Sequence, residues 1–537
     1  MKNINKILKV GVFSLAFSMT ACDFLDTTPF DFTSPEMFYQ TEEECNQALT
    51  AIYSTLSTEE VYGNNYSLML SNTDDLSFFT RETAVPIANH GAVCNSHDEN
   101  NERIFKTWVA LYDGINNANV LLEHIDAAEI KDEKVKNRIK GEAKFLRAYY
   151  HFLLVQAWHE VPIRKKSVPG IDESNLAPTP HADALDWIIQ EMEDCIGLVD
   201  NELYDKSPSR IKQTIVEGIL ARVCLWRAGY PSNGGQPFYE KAATYANNVI
   251  ISQKHKLNQN DIMEIWKCMA GDKYETVYNE SMWEAEFYGS RNDGNETYGR
   301  MGNEIGCKTN IKAGFGRGDA FYNGTSLLWN LYSDNDKRRD LSMCPYEIKA
   351  DGTQKLYQYT DKKKEIVQRA CGKFRREWET NQPHNQSWTP ENFPILRYAD
   401  VLLMHSEALL ESGKPVADAI KSINEVRKRA GITELKETIS TEDLRKEIRD
   451  ERARELCFEA LRKYDLIRWG IYVKTIKEDL GGDIEKDKEH KVWPKSGNLR
   501  GGVQQFVTNT QNKHQFLPIP RREISVNKDM VQNAYWK

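Results

Sequence analysis

The sequence lacks the residue patterns of several functional classes. Its ten cysteines include no Cys-x-x-Cys pair, and His151 and His159 have no third ligand nearby, so neither a metal nor another cofactor is expected. There is no Gly-x-Ser-x-Gly elbow of an α/β-hydrolase, and the glycines of Gly314–Gly318 are not followed by the Lys-Ser/Thr of a phosphate-binding loop. Acidic residues outnumber basic ones by 79 to 70, which disfavours a nucleic-acid partner.

Long apolar runs are also absent after the N-terminal region, where a bilayer span would need about 20 apolar residues. Three lysines precede the short run Val10–Met19, and Ala21-Cys22 follows it. This pattern predicts a signal peptide over residues 1–21 and a lipobox with an acylated (palmitate-bearing) Cys22, the start of a lipidated tether over residues 22–40. The alternative is an ordinary signal peptide with a chance cysteine. Nine cysteines remain beyond Cys22, and the sequence does not indicate whether any of them form a disulfide.

Apolar residues recur at helical spacing in two blocks of the chain. The segments with this periodicity are Ile139–Ala157, His181–Val199, Ile211–Ala228, Phe238–Ser252, Tyr398–Leu410 and Val416–Arg429. Alanines at the packing points Ala242, Ala246 and Ala419 make two of the helix pairs similar to degenerate tetratricopeptide repeats. An arbitrary helical bundle is the alternative.

Between the two blocks, glycine and aromatic residues rise together, and Met282–Tyr288 alternates like a strand. We therefore predict a mostly α-helical protein: a tetratricopeptide-like repeat frame with an irregular, loop-rich lobe that contains short strands. The predicted regions are 41–275 (helical repeats, with a loop insertion at about 59–103), 276–392 (the irregular lobe) and 393–537 (a C-terminal helical region).

The C-terminal region contains an unusually charged helical segment. Ser440 with Asp443 is a capping signal, and Arg452, Glu455, Glu459 and Arg462 follow at spacings of three, four and three. This spacing predicts an ion-pair ladder on one face of one helix. Exposed pairs of this kind contribute about 0.3–0.5 kcal/mol each, and every glutamate has an arginine neighbour, so the ladder is interpreted as structural rather than catalytic.

This segment resembles the C-terminal signature of the SusD/RagB family of surface lipoproteins, E-R-x-x-E-L-x-x-E-x-x-R-x-x-D-L-x-R-W. Ala460 stands where that family usually has glycine. The matching residues are Glu451, Arg452, Glu455, Leu456, Glu459, Arg462, Asp465, Leu466, Arg468 and Trp469, with further similar motifs at Trp108–Asn119, Glu142–Tyr150, Arg397–Ala408 and Leu517–Asn527.

The resemblance implies a non-enzymatic protein that is lipid-anchored in the outer membrane and exposed at the cell surface. Such a protein captures oligosaccharides for a SusC-like TonB-dependent transporter, with the helical repeats facing the transporter and the irregular lobe holding the ligand. Two alternatives stay open: a peptide- or protein-binding lipoprotein of the same fold, and a glycoside hydrolase with two carboxylates across a cleft.

A sugar platform needs exposed aromatic rings with hydrogen-bonding side chains beside them. Trp108, Trp283 and Trp329 have apolar neighbours at helical or strand spacing, so they are predicted to be buried. Residues of the loop regions are better candidates for ligand contact. They are Phe79, Arg81, His90, Asn95, Tyr288, Arg291, Asn292, Tyr298, Arg300 and Phe315.

Overall fold

The computed structural model of the chain describes residues 38–81, 91–168, 170, 175–201, 207–288 and 299–537. The predicted signal peptide, Cys22 and most of the tether lie outside these residues. Among the helices of the described residues, none combines the length and the apolar character that crossing a membrane requires.

Helices make up most of the described secondary structure, which confirms the predicted fold class. In chain order they are α1 (Glu42–Ser54), α2 (Glu102–His124), α3 (Glu133–Trp158), α4 (His181–Glu193), α5 (Gln213–Ala228), α6 (Gln236–Ile251), α7 (Glu264–Ala270), α8 (Ser326–Leu331), α9 (Arg339–Ser342), α10 (Tyr398–Glu411), α11 (Val416–Ala430), α12 (Thr441–Leu456), α13 (Arg462–Arg468), α14 (Tyr472–Lys474), α15 (Gly481–Lys486), α16 (Asn498–Asn509) and α17 (Arg521–Val526). Short π-helical turns occur at Glu59–Gly63, Asn65–Leu70, Met301–Ile305 and Thr475–Leu480.

Short strands form three two-stranded antiparallel sheets within the described residues. They are β1 (Ser77–Phe79), β2 (Ser281–Ala285), β3 (Tyr322–Gly324), β4 (Tyr346–Ile348), β5 (Gln354–Leu356) and β6 (Phe393–Arg397). The pairs are β1 with β3, β2 with β6, and β4 with β5. Because β1 and β3 are far apart in sequence, their pairing joins the first insertion to the irregular lobe.

The repeat-like helices pack in pairs. α5 packs on α6, α6 on α10, and α10 on α11. The alanines predicted to lie at the close contacts, Ala242, Ala246 and Ala419, are fully buried, because a methyl group lets two helix backbones approach. Trp108, Trp283 and Trp329 also lie in the interior, at 2%, 0% and 8% exposure, as predicted.

The segment that the sequence predicts as a loop insertion is mostly interior. Residues 61–80 are buried, and the π-helical turns there satisfy much of the backbone. Buried polar side chains complete the hydrogen bonding: Asp74 Oδ1, for example, accepts from the N–H groups of Leu76 and Ser77 at 2.8 and 3.0 Å. Polar composition in this segment therefore reflects internal hydrogen bonds rather than solvent contact.

The charged C-terminal segment is not one helix, and the prediction of a single ladder face is wrong. Ser440 caps α12 as predicted, with its hydroxyl accepting from the Asp443 N–H at 3.0 Å. However, α12 ends at Leu456, and Phe458 and Ala460 have φ angles of 64° and 60°. This backbone region is disfavoured for L residues, and it turns the chain before α13 begins.

The charged residues of this segment form a buried network instead of an exposed ladder. Glu455 and Glu459 are at most 4% exposed and receive hydrogen bonds from Arg397 of β6, at 3.0 Å to Glu455 Oε1 and 2.8 Å to Glu459 Oε2. From the irregular lobe, Arg338 donates to Glu455 at 3.2 Å and Lys373 donates to Glu459 at 2.6 Å. The network therefore fixes the lobe to the helical frame.

A disulfide adds a second constraint within the lobe. Cys307 and Cys344 are bonded, with their Cα atoms 6.0 Å apart and a sequence separation of 37. Cys195, Cys224 and Cys457 are free and buried.

Candidate functional site

Two arginine–aromatic pairs lie at the surface where the first insertion meets the irregular lobe. The guanidinium carbon of Arg300 lies 4.2 Å from the centre of the Trp388 ring, and that of Arg81 lies 4.2 Å from the centre of the Phe321 ring. Arg81 is exposed, and Arg300, Phe321 and Trp388 are partly exposed. We call these four residues the arginine–aromatic surface.

Backbone hydrogen bonds bring the two pairs together at the turn Met301–Ile305. The Arg300 N–H donates to the Gly63 carbonyl at 3.1 Å, just before this turn. The Phe321 N–H donates to the Glu304 carbonyl at 2.7 Å, and the Thr80 N–H donates to the Phe321 carbonyl at 2.7 Å. Three segments that are distant in sequence thus meet at one place.

A buried arginine supports the loop that carries Trp388. The Arg376 guanidinium donates to the carbonyls of Asn385, Gln386 and Arg317 at 2.7, 3.1 and 2.9 Å. Gly316 lies against it with φ +76°, and a Cβ there would come within 2.4 Å of the guanidinium carbon. Glycine is therefore required at this position for the arginine to reach the loop.

The electrostatics of the surface depend on one buried carboxylate. Glu304 accepts from Arg300 Nη1 at 3.1 Å, and its side chain is 4% exposed. Burial raises its pKa, although the charges of Arg300 and Arg103 oppose the shift. Arg300 also lies 3.8 Å from Glu59, and Arg317 Nε donates to Asp319 at 2.7 Å. The site thus combines cationic hydrogen-bond donors with aromatic ring faces.

Of the ten predicted ligand residues, the structure brings Arg81 and Arg300 together on this surface. Phe315 is partly buried, packs on the cluster around the disulfide and contacts His384 at 6.1 Å between ring centres. Tyr288 is partly buried, and its carbonyl accepts a long hydrogen bond of 3.5 Å from Asn381.

The prediction of ligand contact does not fit two further residues, because both lie in the interior. Phe79 is 6% exposed in β1 and packs on Phe321 and Tyr322. Asn95 is 2% exposed, and its amide donates to Thr510 at 2.9 Å and to Tyr472 at 3.2 Å. Neither side chain is available to a ligand at the surface.

The other four predicted residues lie outside the described residues. They are His90, Arg291, Asn292 and Tyr298.

The aromatic members of the surface, Trp388 and Phe321, are not among the predicted ligand residues. Trp388 stands in a stretch of polar residues and prolines, Asn381–Pro390, whose composition is typical of a loop. Phe321 has no comparable signal, because its partial exposure results from the pairing of β1 with β3.

Clefts also lie elsewhere among the described residues. One of about 630 Å³ is lined by Arg449, Arg462 and Trp469, and another of about 780 Å³ lies between α6, α10 and α11. Trp469 donates to Glu407 at 2.8 Å and is contacted by the guanidinium groups of Arg449 and Arg468, each 4.9 Å from the ring centre. This ring belongs to the structural network rather than to a sugar platform. Within the described residues, no group of three or more His, Cys, Asp or Glu side chains is arranged to hold a metal ion.

Two family profiles match the chain. One is described as the SusD family and covers residues 368–536. The other is described as "Starch-binding associating with outer membrane" and covers residues 23–225. Together they span well over half of the chain.

Some curated relatives match over nearly the whole length of the chain, and others match over a part of it. The SusD-like protein P25 of Formosa agariphila is 24% identical over 97% of this chain and 98% of its own. The starch-binding protein SusD of Bacteroides thetaiotaomicron is 31% identical over 27% of this chain and 22% of its own.

Solved structures have the same fold. A SusD homologue from Bacteroides thetaiotaomicron is 26% identical with a TM-score of 0.83, covering 93% of this chain and 98% of its own. A laminarin-binding SusD-like protein is 21% identical with a TM-score of 0.69, covering 92% of this chain and all of its own. Surface glycan-binding protein A from Bacteroides thetaiotaomicron, in complex with laminarihexaose, is 20% identical with a TM-score of 0.69, covering 92% of this chain and all of its own.

Proposed function

The chain belongs to the SusD/RagB family, and from this membership we propose that it captures oligosaccharides at the cell surface and delivers them to a SusC-like TonB-dependent transporter. In this proposal the protein binds the glycan without cleaving it. The names of its relatives, which include a starch-binding and a laminarin-binding protein, support a glycan as the ligand.

The observation that carries the proposal is the arginine–aromatic surface. Sugars present apolar C–H faces that stack on aromatic rings, and hydroxyl groups that accept hydrogen bonds from guanidinium donors. Trp388 and Phe321 provide the rings, and Arg300 and Arg81 provide the donors beside them. A site of this kind is shallow, which suits a chain-like ligand that is held briefly and then passed on.

Glycan binding is tested by calorimetry with a panel of oligosaccharides, followed by the Trp388→Ala variant. Loss of a stacking ring is expected to lower affinity about tenfold, since aromatic contacts contribute on the order of 1 kcal/mol beyond buried area. Tyr359→Ala is the control, because Tyr359 is a 52% exposed aromatic residue of the same lobe that lies against Trp329. If the Tyr359 variant loses binding and the Trp388 variant keeps it, the site is placed wrongly.

Attachment to the outer membrane is proposed to occur through lipid on Cys22. Labelling cells with an alkyne-tagged palmitate analogue tests this directly, and Cys22→Ser is expected to lose both the label and the membrane fraction. Protease accessibility on intact cells tests surface exposure. An equally labelled Cys22→Ser protein would contradict the anchor.

The transporter is tested by purifying the lipidated protein from detergent-solubilised outer membranes and identifying what accompanies it by mass spectrometry. Recovery of a TonB-dependent barrel is the expected result. If no barrel is recovered in several detergents while Cys22 carries lipid, the delivery role is contradicted.

A second candidate function is peptide binding, which the cleft between α6, α10 and α11 favours. Apolar Ile250 and Leu409 line it together with lysines and carboxylates, a mixed lining that suits a peptide with both apolar and charged side chains. The charged residues are Lys414, Lys421, Glu240, Asp418 and Glu425. Binding of peptides but of no glycan in the same calorimetric screen would select this function. Hydrolysis of any bound glycan would instead contradict binding without cleavage.

A further inference from the structure

Three arginine side chains reach solvent at or beside the arginine–aromatic surface. Arg81 is exposed, and the side chain of Arg300 is 26% exposed. Arg317 carries a third guanidinium on an adjoining segment, where it is 46% exposed and donates to Asp319 at 2.7 Å. The Asn303 amide donates to the Arg317 carbonyl at 2.7 Å. A guanidinium that stacks on a ring keeps its N–H donors in a fixed plane, which suits planar acceptors such as a carboxylate.

Carboxylates of the described residues neutralise this charge only in part. Glu304 pairs with Arg300 and accepts from its Nη1 at 3.1 Å, whereas the Glu304 Oε2 accepts no hydrogen bond from the described residues. Glu59 lies 3.8 Å from Arg300, beyond hydrogen-bond distance. Arg81 forms no ion pair with any carboxylate of the described residues, and its guanidinium contacts Phe321 instead.

Arginines of the interior are used differently. Arg338, Arg397 and Arg452 are each at most 3% exposed, and each contacts at least two carboxylates. Their charges are compensated by these buried carboxylates and stabilise the fold. Arg81, in contrast, pairs with no carboxylate of the described residues. Arg300 remains 26% exposed beside the Trp388 ring, although Glu304 and Glu59 lie 3.1 and 3.8 Å from it.

We infer that the glycan bound at this surface is acidic, with carboxylate or sulfate groups that Arg300 and Arg81 bind while Trp388 and Phe321 contact the sugar rings. This inference rests on the proposed glycan-binding function. Guanidinium–carboxylate and guanidinium–sulfate contacts are charge-assisted and can be bidentate, so they are stronger than contacts to hydroxyl groups. A chain with net charge −9 would repel an acidic glycan elsewhere on its surface, which makes a local arginine group necessary.

Paired ligands that differ only in charge test the inference. Calorimetry with the purified protein would compare a hexagalacturonate with its carboxyl-reduced form, and a sulfated galactan oligosaccharide with its desulfated form, beside neutral laminarihexaose. We expect at least one charged form to bind about tenfold to a hundredfold more tightly than its neutral counterpart. Its affinity should fall as salt is raised from 50 to 500 mM. The pair that shows the preference identifies the acidic group.

Arg300→Gln is the informative variant, and Arg339→Gln is its matched control. Arg339 also stacks on a tryptophan, with 4.8 Å between its guanidinium carbon and the Trp329 ring, and it pairs with Asp334 at 2.9 Å. Its side chain is 22% exposed, close to the 26% of Arg300. Arg300→Gln should lose the preference for the charged ligand, whereas Arg339→Gln should keep it.

The outcomes separate this inference from the function on which it rests. Equal affinity for the charged and neutral forms of both pairs, or a preference that survives Arg300→Gln and Arg81→Gln together, overturns the acidic ligand while glycan binding stands. Binding of no glycan of either kind overturns the proposed function itself.

Discussion

Asp400 offers a sharp test of the buried charge network, because one side chain there compensates two buried cations. Its Oδ2 accepts from Arg222 Nη2 and its Oδ1 accepts from Arg452 Nη1, both at 2.7 Å. Asp400 is 1% exposed. Arg452 has a second carboxylate in Asp465, but no carboxylate other than Asp400 pairs with Arg222 among the described residues. Asp400→Asn keeps the shape and removes the charge.

The magnitude follows from burial and from the pKa. Removing one partner of a buried pair costs about 3–5 kcal/mol, because a buried charge is left uncompensated. Burial by itself would raise the pKa of Asp400, but Arg452 and Arg222 outweigh burial and lower it from 3.8 to about 2. A shift of this size corresponds to about 2.5 kcal/mol of stability that depends on ionisation.

The sign of the pH dependence is fixed by the lowered pKa. The contribution of Asp400 is complete above the unfolded-state pKa and is lost as the pH falls through the folded-state value. About half of the 2.5 kcal/mol remains at pH 3, where the unfolded chain is mostly protonated and the folded carboxylate is still mostly ionised. The penalty of Asp400→Asn should therefore shrink by about 1 kcal/mol between pH 7 and pH 3.

Urea unfolding followed by tryptophan fluorescence measures both quantities, and other titrating groups cancel in the difference between variant and parent. The Arg222→Met/Asp400→Asn double variant should recover part of the loss, since both charges are then gone. Asp334→Asn, at a fully exposed carboxylate paired with Arg339, should change nothing measurable. A penalty below about 1 kcal/mol at pH 7, or one that grows on acidification, would refute the reasoning.

Three further outcomes follow from the described residues. Replacing both Cys307 and Cys344 by serine should lower the free energy of unfolding by about 4 kcal/mol, from the loop entropy for a sequence separation of 37. Unfolding in non-reducing urea measures this loss, and an unchanged midpoint would contradict the disulfide. Ala460→Gly should raise the free energy of unfolding by about 0.5–1 kcal/mol, because Ala460 has φ +60°, which glycine adopts without strain. A lower thermal midpoint of the variant would contradict this prediction. Burial lowers the pKa of His151 to about 3 and that of His405 to about 4. The free energy of unfolding should therefore fall from pH 6.5 towards pH 4, because the unfolded chain takes up protons that the folded chain does not. A urea midpoint that rises over this range would contradict this prediction.

The candidate site was only partly predictable from the sequence. Arg81 and Arg300 were chosen because their side-chain chemistry suits a sugar, and both lie on the surface. Phe79 and Asn95 satisfied the same criteria but are buried by partners that lie hundreds of residues away: Phe79 by β3, and Asn95 by Tyr472 and Thr510. Composition indicates which residues could bind a ligand, whereas distant segments decide which of them reach solvent.

The sequence by itself determined the helical frame, its caps and the family. Helical periodicity is local, so α5, α6, α10 and α11 lie within three residues of their predicted bounds, and the Ser440 cap is in place. Only the tertiary structure decided the role of the charged C-terminal segment. Periodicity states which residues share a helix face, but not which face is covered. The spacing of Glu455 and Glu459 therefore predicts an exposed ladder. In the structure, Arg338, Lys373 and Arg397 pack against these two glutamates and bury them in a network.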